Sequence, residues 1–485
     1  MEEFPISNGM KKSFYITSPI FYPNARLHMG HAYVVTLCDI LARAKKLQGV
    51  ETYFSVGSDD NTGKIVKIIT EKNQKVEDYL SEVSQNFKDL YSKLDISYDQ
   101  FIHTSDKEKH WPGAIAMWNK LVEAGDIYKS KYSGLYCVGC ETFYTEKDLV
   151  DGKCPVHLTV PETVDEENYF FRLSKYTKEI KQKIESGELS IVPNTRKNEI
   201  LALLDRGLDD VSFSRPIKNV PHGIPVPGDP TQVIYVWCDA LVNYISALGY
   251  GTKDDQLYTK FWPADVHVIG KDILRFHAAI WPGMLLSADL PLPKSILVHG
   301  MINSGGHKMS KSLGNVIDPN ELIAEYGKEA VRYYLAREVS PFEDGDLTAE
   351  KFKEAYNAGL ANGLGNLASR ILTLSEKYLE KAPEIPEHSI PQEFKDLMNK
   401  FEIQKATDFV WKEIGELDKF IQDSEPFKLV KVDEEKGKEV IASMVLRLYT
   451  IARMLNPIMP ETNVTLKNLI KQNKKPANPL FLRKN

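Results

Sequence analysis

The chain has 485 residues, 42% of them hydrophobic and 26% charged, with 61 Lys and Arg against 67 Asp and Glu. A net charge of −6 gives no global basic signal, so a nucleic-acid partner would have to meet a local basic patch. No apolar run reaches eighteen residues, which excludes a membrane-spanning helix, and the opening "MEEFPISNG" has the features of neither a secretion signal nor a transit peptide.

Residues 1–9 are expected to be a short extension outside the fold. "SFYIT" (Ser13–Thr17) then predicts a buried strand, and the loop "IFYPNARL" follows. Helical spacing runs from His31 to Leu47 and stops before Gly49, a common residue just past a helix end. "TYFSVG" predicts a second strand, and strand, helix, strand in that order begins a parallel α/β sheet. From Trp111 to Arg215 the pattern is irregular. Strand and helix signals return at "QVIYVWCDALVNYISALG", "DVHVIGKDILRFHAAIWPGML" and "SILVHGMI", as expected of a sheet interrupted by an inserted module. From Thr348 the pattern is helical. Phe352, Tyr356, Leu360, Leu364, Leu367, Ile371 and Leu374 form one apolar stripe, and further runs lie at Phe409–Ile421 and Glu439–Leu455, predicting a helix bundle. The tail from Leu466 carries Lys467, Lys471, Lys474, Lys475, Arg483 and Lys484 and no acid. The expected divisions are 10–110, 111–220, 221–305, 306–347 and 348–485.

Five cysteines occur, and Cys137, Cys140 and Cys154 cluster. The odd number and the clustering argue against a disulfide framework and for a reducing, cytoplasmic setting with a metal site. In "CVGCETFYTEKDLVDGKCPVH", Cys137 and Cys140 make C-x-x-C, and Cys154 and His157 make C-x-x-H. That is the spacing of a closed, tetrahedral, structural zinc site. Cys38 and Cys238 fall in helical patterns and read as small apolar fillers.

Two stretches carry the chemistry. "NARLHMGH" places His28 and His31 at a strand-to-helix turn, where free backbone N–H groups and the positive helix end favour an anion. Gly30 between them leaves room for a ligand to approach the backbone. "GGHKMSKSLGN" (Gly305–Asn315) puts Lys308 and Lys311 on a Gly-rich loop, suited to a group whose negative charge grows during reaction, such as departing pyrophosphate.

Together these stretches resemble the two signatures of the class I aminoacyl-tRNA synthetases: "HMGH" is similar to their H-I-G-H, and "KMSKS" matches letter for letter. "SPIFYPNARLHMGH", "YVWCDALVNYISALG", "IGKDILRFHAAIWPGML" and "HKMSKSLGN" resemble the branch of that family specific for methionine, over nearly the whole chain. The chain also has no room for the editing insertion of the large isoleucine, valine and leucine enzymes. An H-x-G-H nucleotidyltransferase would lack the lysine loop, and a non-catalytic RNA-binding relative would have lost the signatures.

The resemblance implies a Rossmann-type parallel-sheet catalytic domain, split by a connective-peptide insertion holding the zinc knuckle and followed by an all-α anticodon-binding domain. It implies activation of L-methionine with ATP and Mg²⁺ and transfer to initiator and elongator tRNA-Met. Ile20, Tyr22, Trp237, Ala240, Tyr244, Ile273 and His277 would form the methionine pocket, with Asp59 on the ammonium. His28, Gly30, His31, Gly270, Asp272, Lys308 and Lys311 would serve ATP. Asn366 and Arg370 of "GNLASR" would meet the anticodon, with Phe427 after Pro426 where the family usually has tryptophan. Family members that dimerise do so through an appended domain for which this chain has no room, so a monomer is expected. One departure stands in "GSDDNTGKI" (Gly57–Ile65), where the family pattern is G-T-D-E-H-G-Q-K-I. Asp60, Asn61 and Thr62 differ, so the role of the usual histidine is expected to be lost and the effect to fall on the rim of the site.

Overall fold

The computed structural model describes residues 13–24, 26–138, 142–144, 146, 149–155, 158–309, 315–385 and 390–485. Cys140, His157 and Lys311 lie outside them, as does the side chain of Lys308.

Six parallel strands make the central sheet, in the order Gln100–His103, Glu51–Ser58, Ser13–Thr17, Val266–Gly270, Ser295–His299 and Ser190–Val192. The three apolar runs "SFYIT", "VHVIG" and "SILVH" are buried along their whole length, as expected of parallel strands covered on both faces. Strand order reverses between Ser13–Thr17 and Val266–Gly270. In such sheets a ligand crevice opens at that point, beyond the C-terminal ends of the strands. Ser190–Val192, inside the stretch the sequence assigns to the insertion, pairs with Ser295–Leu297 at the sheet edge. The inserted module is a separate antiparallel sheet built on a long hairpin, Ile127–Cys137 against Glu162–Phe171, with Thr142–Tyr144 and Val211–Ser212 on its edges.

The C-terminal stretch is a helix bundle. Its first long helix is continuous from Ala349 to Tyr378 but is π-helical from Tyr356 to Gly365. The stripe shows why: Phe352, Tyr356, Leu360 and Leu364 step by four three times in succession, a wider turn than 3.6 residues. One buried apolar cluster runs from Phe14 and Ile16 in the sheet through helix Met29–Leu47 to Leu466 and Ile470 in the bundle. Arg332, with no exposed surface, is a buried polar tie across that contact. It pairs with Asp39 of helix Met29–Leu47 at 2.7 Å and donates to the carbonyls of Leu94, Pro457 and Ile458. No helix among the described residues is long and apolar enough to cross a membrane.

Candidate active site

The first signature builds its own helix start. His28 is the N-cap of helix Met29–Leu47, and its Nδ1 accepts the Gly30 N–H at 3.1 Å. His31 Nδ1 accepts the His28 N–H at 3.1 Å, so the two imidazoles form a reciprocal cap. Both Nδ1 atoms being acceptors, each neutral ring carries its hydrogen on Nε2. Burial, and then the neighbouring His28, hold the pKa of His31 well below its ordinary range. A Cβ on Gly30 would lie 2.9 Å from His28 Cε1, so the close neighbour that requires glycine is the His28 ring itself.

At the switch point lies a cavity of about 760 Å³, within the range of small-molecule sites. The segment after strand Ser13–Thr17 supplies Ile20 and Tyr22, the helix start supplies His28, Gly30 and His31, and the segment after Glu51–Ser58 supplies Asp59. Trp237, Ala240 and Tyr244 come from "VWCDALVNY", and Gly270, Asp272, Ile273 and His277 follow strand Val266–Gly270. Trp237 and Tyr244 do not share one helix, since helices Val236–Leu241 and Asn243–Ser246 meet at Val242; both still line the cavity. Trp237 Nε1 is buried with no hydrogen-bond partner among the described residues, which costs about 1–3 kcal/mol until a partner arrives.

The aromatic end of the cavity has a defined hydrogen-bond direction. His277 Nδ1 meets the Ile273 carbonyl at 2.9 Å and so donates, leaving Nε2 to accept the Tyr244 hydroxyl at 2.6 Å. Burial pushes the pKa of His277 down to about 4, so this imidazole is neutral at pH 7. Tyr244 is also stacked near His267, with ring centroids 4.3 Å apart, and its carbonyl accepts the Tyr15 hydroxyl at 2.8 Å.

Several lining residues escaped the sequence reading. Phe276 stacks on Trp237 with centroids 3.5 Å apart and rings 7° from parallel; the three-residue step from Ile273 was its signal. His299 ends strand Ser295–His299 at the crevice, a position where a polar residue on a parallel sheet points to function. Tyr144 enters from the inserted module, and nothing local in the sequence marks it.

The departure at Gly57–Ile65 is not on the rim. Asp60, Asn61 and Thr62 are buried beneath the site, at 0%, 2% and 0% exposure. Asp60 bonds Ser58, His103 and Ser105, and Asn61 bonds Thr104 and Asp239. Asn61, at the place of the family's histidine, is held within this buried network.

Lys308 closes a hairpin, Ile302–Ser304 with His307–Lys308, turned by Gly305 and Gly306 at φ +63° and +77°. A two-residue turn with both φ values positive selects Gly-Gly. In the inserted module Cys137 and Cys154 are buried, and Asp151-Gly152, also at positive φ, make the tight turn just before Cys154. Among the described residues no group of three or more His, Cys, Asp or Glu could hold a metal. In the bundle, Asn366 is exposed, Arg370 pairs with Asp418 and Phe427 is 42% exposed.

Known proteins resemble this chain throughout. The family model for "tRNA synthetases class I (M)" matches residues 14–159 and 148–372. The methionine–tRNA ligase of Caldanaerobacter subterraneus subsp. tengcongensis is 43% identical over 468 residues, covering 93% of this chain and 73% of the relative. That of Thermotoga maritima is 38% identical over 484 residues, covering 96% and 76%. The solved structure of Mycobacterium tuberculosis methionyl-tRNA synthetase in complex with methionyl-adenylate superposes with a TM-score of 0.90 at 33% identity, over 97% of this chain and 100% of that one.

Proposed function

The chain belongs to the class I aminoacyl-tRNA synthetases as a methionine–tRNA ligase, and from that premise we propose which of its residues perform each part of the reaction. The enzyme joins methionine to ATP, giving methionyl-adenylate and pyrophosphate, and then transfers the methionyl group to tRNA. In the first step a methionine carboxylate oxygen forms a bond to the α-phosphorus as the α–β phosphoanhydride bond breaks. The attacking group is already an anion, so no side chain need act as a base, and catalysis is positioning plus charge stabilisation. His28 and His31 donate from Nε2 to phosphate oxygens. Lys308 and Lys311 close over the β and γ phosphates. Mg²⁺ bound to ATP would supply further positive charge there.

Asp59 takes the methionine ammonium. The Trp237–Phe276 stack and the Tyr244–His277 pair take the thioether, whose polarisable sulfur packs well on aromatic surfaces. Asn366, Arg370 and Phe427 meet the anticodon, which initiator and elongator tRNA share. Cys137, Cys140, Cys154 and His157 would hold structural zinc, in favour of which stand the ligand spacing and the burial of the two described thiols. Reduced cysteines of this kind suit the cytoplasm.

The observation that carries this reading is that four distant chain segments bring the predicted methionine and nucleotide residues, the lysine loop aside, to one cavity at the switch point. Amino-acid-dependent ATP–pyrophosphate exchange tests it. Exchange with methionine that collapses in His28→Ala and Lys311→Ala supports the assignments. Exchange that survives both substitutions would overturn the phosphate roles.

A further inference from the structure

Beneath the cavity floor lies a polar network that takes no part in the roles above. Asp239 has no exposed surface, although it sits two residues from Trp237 and one from Ala240 in helix Val236–Leu241. At 100° per residue its side chain leaves the helix on the side away from Trp237. There its Oδ1 meets His110 Nε2 at 2.6 Å and its Oδ2 accepts the Asn61 side-chain amide at 2.8 Å. His110 Nδ1 is held in turn by Ser246 Oγ at 2.8 Å. The same Asn61 amide nitrogen donates to the Thr104 carbonyl at 2.8 Å, so two acceptors fix which way the amide points. Thr104 Oγ1 takes the backbone N–H of Asp60 at 2.7 Å and of Asn61 at 3.2 Å. The turn that presents Asp59 is thus hydrogen-bonded on its far side to Thr104 and, through Asn61, to the helix that presents Trp237 and Ala240.

We propose that Asn61 and Asp239 are a positioning pair that sets the ammonium end of the methionine site at a fixed distance from its side-chain end. The proposal rests on reading Asp59 as the ammonium partner. A six-residue helix has little rigidity of its own, and a loop following a strand has less. Each holds one end of a substrate whose ammonium and thioether are a fixed number of bonds apart. A buried carboxylate bridging loop and helix removes that freedom before substrate arrives, which is where affinity from preorganisation comes from. Aligned but unlinked segments would bind each end of methionine without the gain from binding both.

The test compares L-methionine with 4-(methylthio)butanoate, which keeps the thioether and carboxylate and lacks the ammonium, as substrate and competitive inhibitor in pyrophosphate exchange by the full-length enzyme. Asn61→Asp keeps the side-chain size but sets acceptor against acceptor; Asn61→Ala deletes the bridge, and Asp239→Asn weakens it from the other side. We expect the KM for methionine to rise about ten- to hundredfold, while the inhibition constant of the analogue and the KM for ATP change less than about twofold, the same selective loss that Asp59→Asn gives. Equal weakening of methionine and analogue, or no change in either, would overturn the proposal, because a merely structural role moves both or neither. If Asp59→Asn itself keeps the preference for methionine, the ammonium reading falls and the pair's role with it. If Asp59→Asn loses the preference and the Asn61 and Asp239 variants keep it, only the pair's role falls.

Discussion

The crevice and the outer face of the bundle hold their candidate ligand-binding residues in opposite ways. In the crevice, Tyr244 is fixed by His277, by Tyr15 and by the ring of His267, and Asp59 stands on a turn braced by Thr104 and Asn61. On the bundle, Asn366 and Phe427 are exposed, and Arg370 is held by a half-exposed Asp418. A small substrate offers few contacts, so its site gains from being built beforehand. An RNA offers many, and its partners can be ordered as it binds. The two regions nonetheless share one apolar core and are tied by the Asp39–Arg332 pair. Substitutions in one should therefore change stability and chemistry in different proportions from substitutions in the other.

The largest effect should come from the tie. Arg332→Met leaves Asp39 buried without this partner, though still paired to Arg43 at 2.8 Å. It should cost about 3–5 kcal/mol in urea unfolding, and Asp39→Asn in the same chain should recover part of that loss. Next comes His28→Asn, which keeps an N-cap acceptor and removes the imidazole N–H. Exchange activity should fall about 10²–10³-fold, as for loss of one preorganised donor, with the melting temperature nearly unchanged. If activity and stability fell together, the histidine would be a cap and nothing more. A smaller change is expected on the bundle. Phe427→Ala should weaken tRNA binding by about 1–3 kcal/mol through lost stacking, and Phe427→Trp should strengthen it, both read from charging kinetics. Arg370→Ala should alter stability by less than about 1 kcal/mol, because its ion pair with Asp418 is exposed to solvent.

A further effect is that of pH. His277 is pushed down to about 4 from an ordinary 6.5, and burial lowers the pKa of His31, His267 and His299 as well. Between those values the unfolded chain binds more protons than the folded one. The contribution of His277 is therefore complete above about 6.5 and is lost as the pH falls toward 4, and that of the other three is lost in the same direction. The urea midpoint should drop between pH 7 and pH 5, and His277→Gln should flatten that drop.

The sequence made some of this architecture plain and hid the rest for physical reasons. "SFYIT" and the helical run ending at Leu47 declare themselves because burial imposes an unbroken apolar strand and a 3.6-residue period. The first signature is legible because a helix cap is local. Ser190–Val192 is three residues long and gains its place only by pairing with Ser295–Leu297, about a hundred residues away. Asp239 reads as an ordinary helical carboxylate in "WCDALVNY", and its partners His110 and Asn61 are 129 and 178 residues distant. Phe276 stands three residues after Ile273, but its place in the pocket comes from stacking on the distant Trp237.

The most direct test of the contrast between the two regions is to run two assays on two variants. Methionine-dependent pyrophosphate exchange without tRNA reads the crevice alone, and tRNA charging reads both regions. His31→Ala should lose both activities, whereas Phe427→Ala should keep exchange and lose charging at limiting tRNA. Exchange that survives in His31→Ala, or that falls in Phe427→Ala with no tRNA present, would contradict the account.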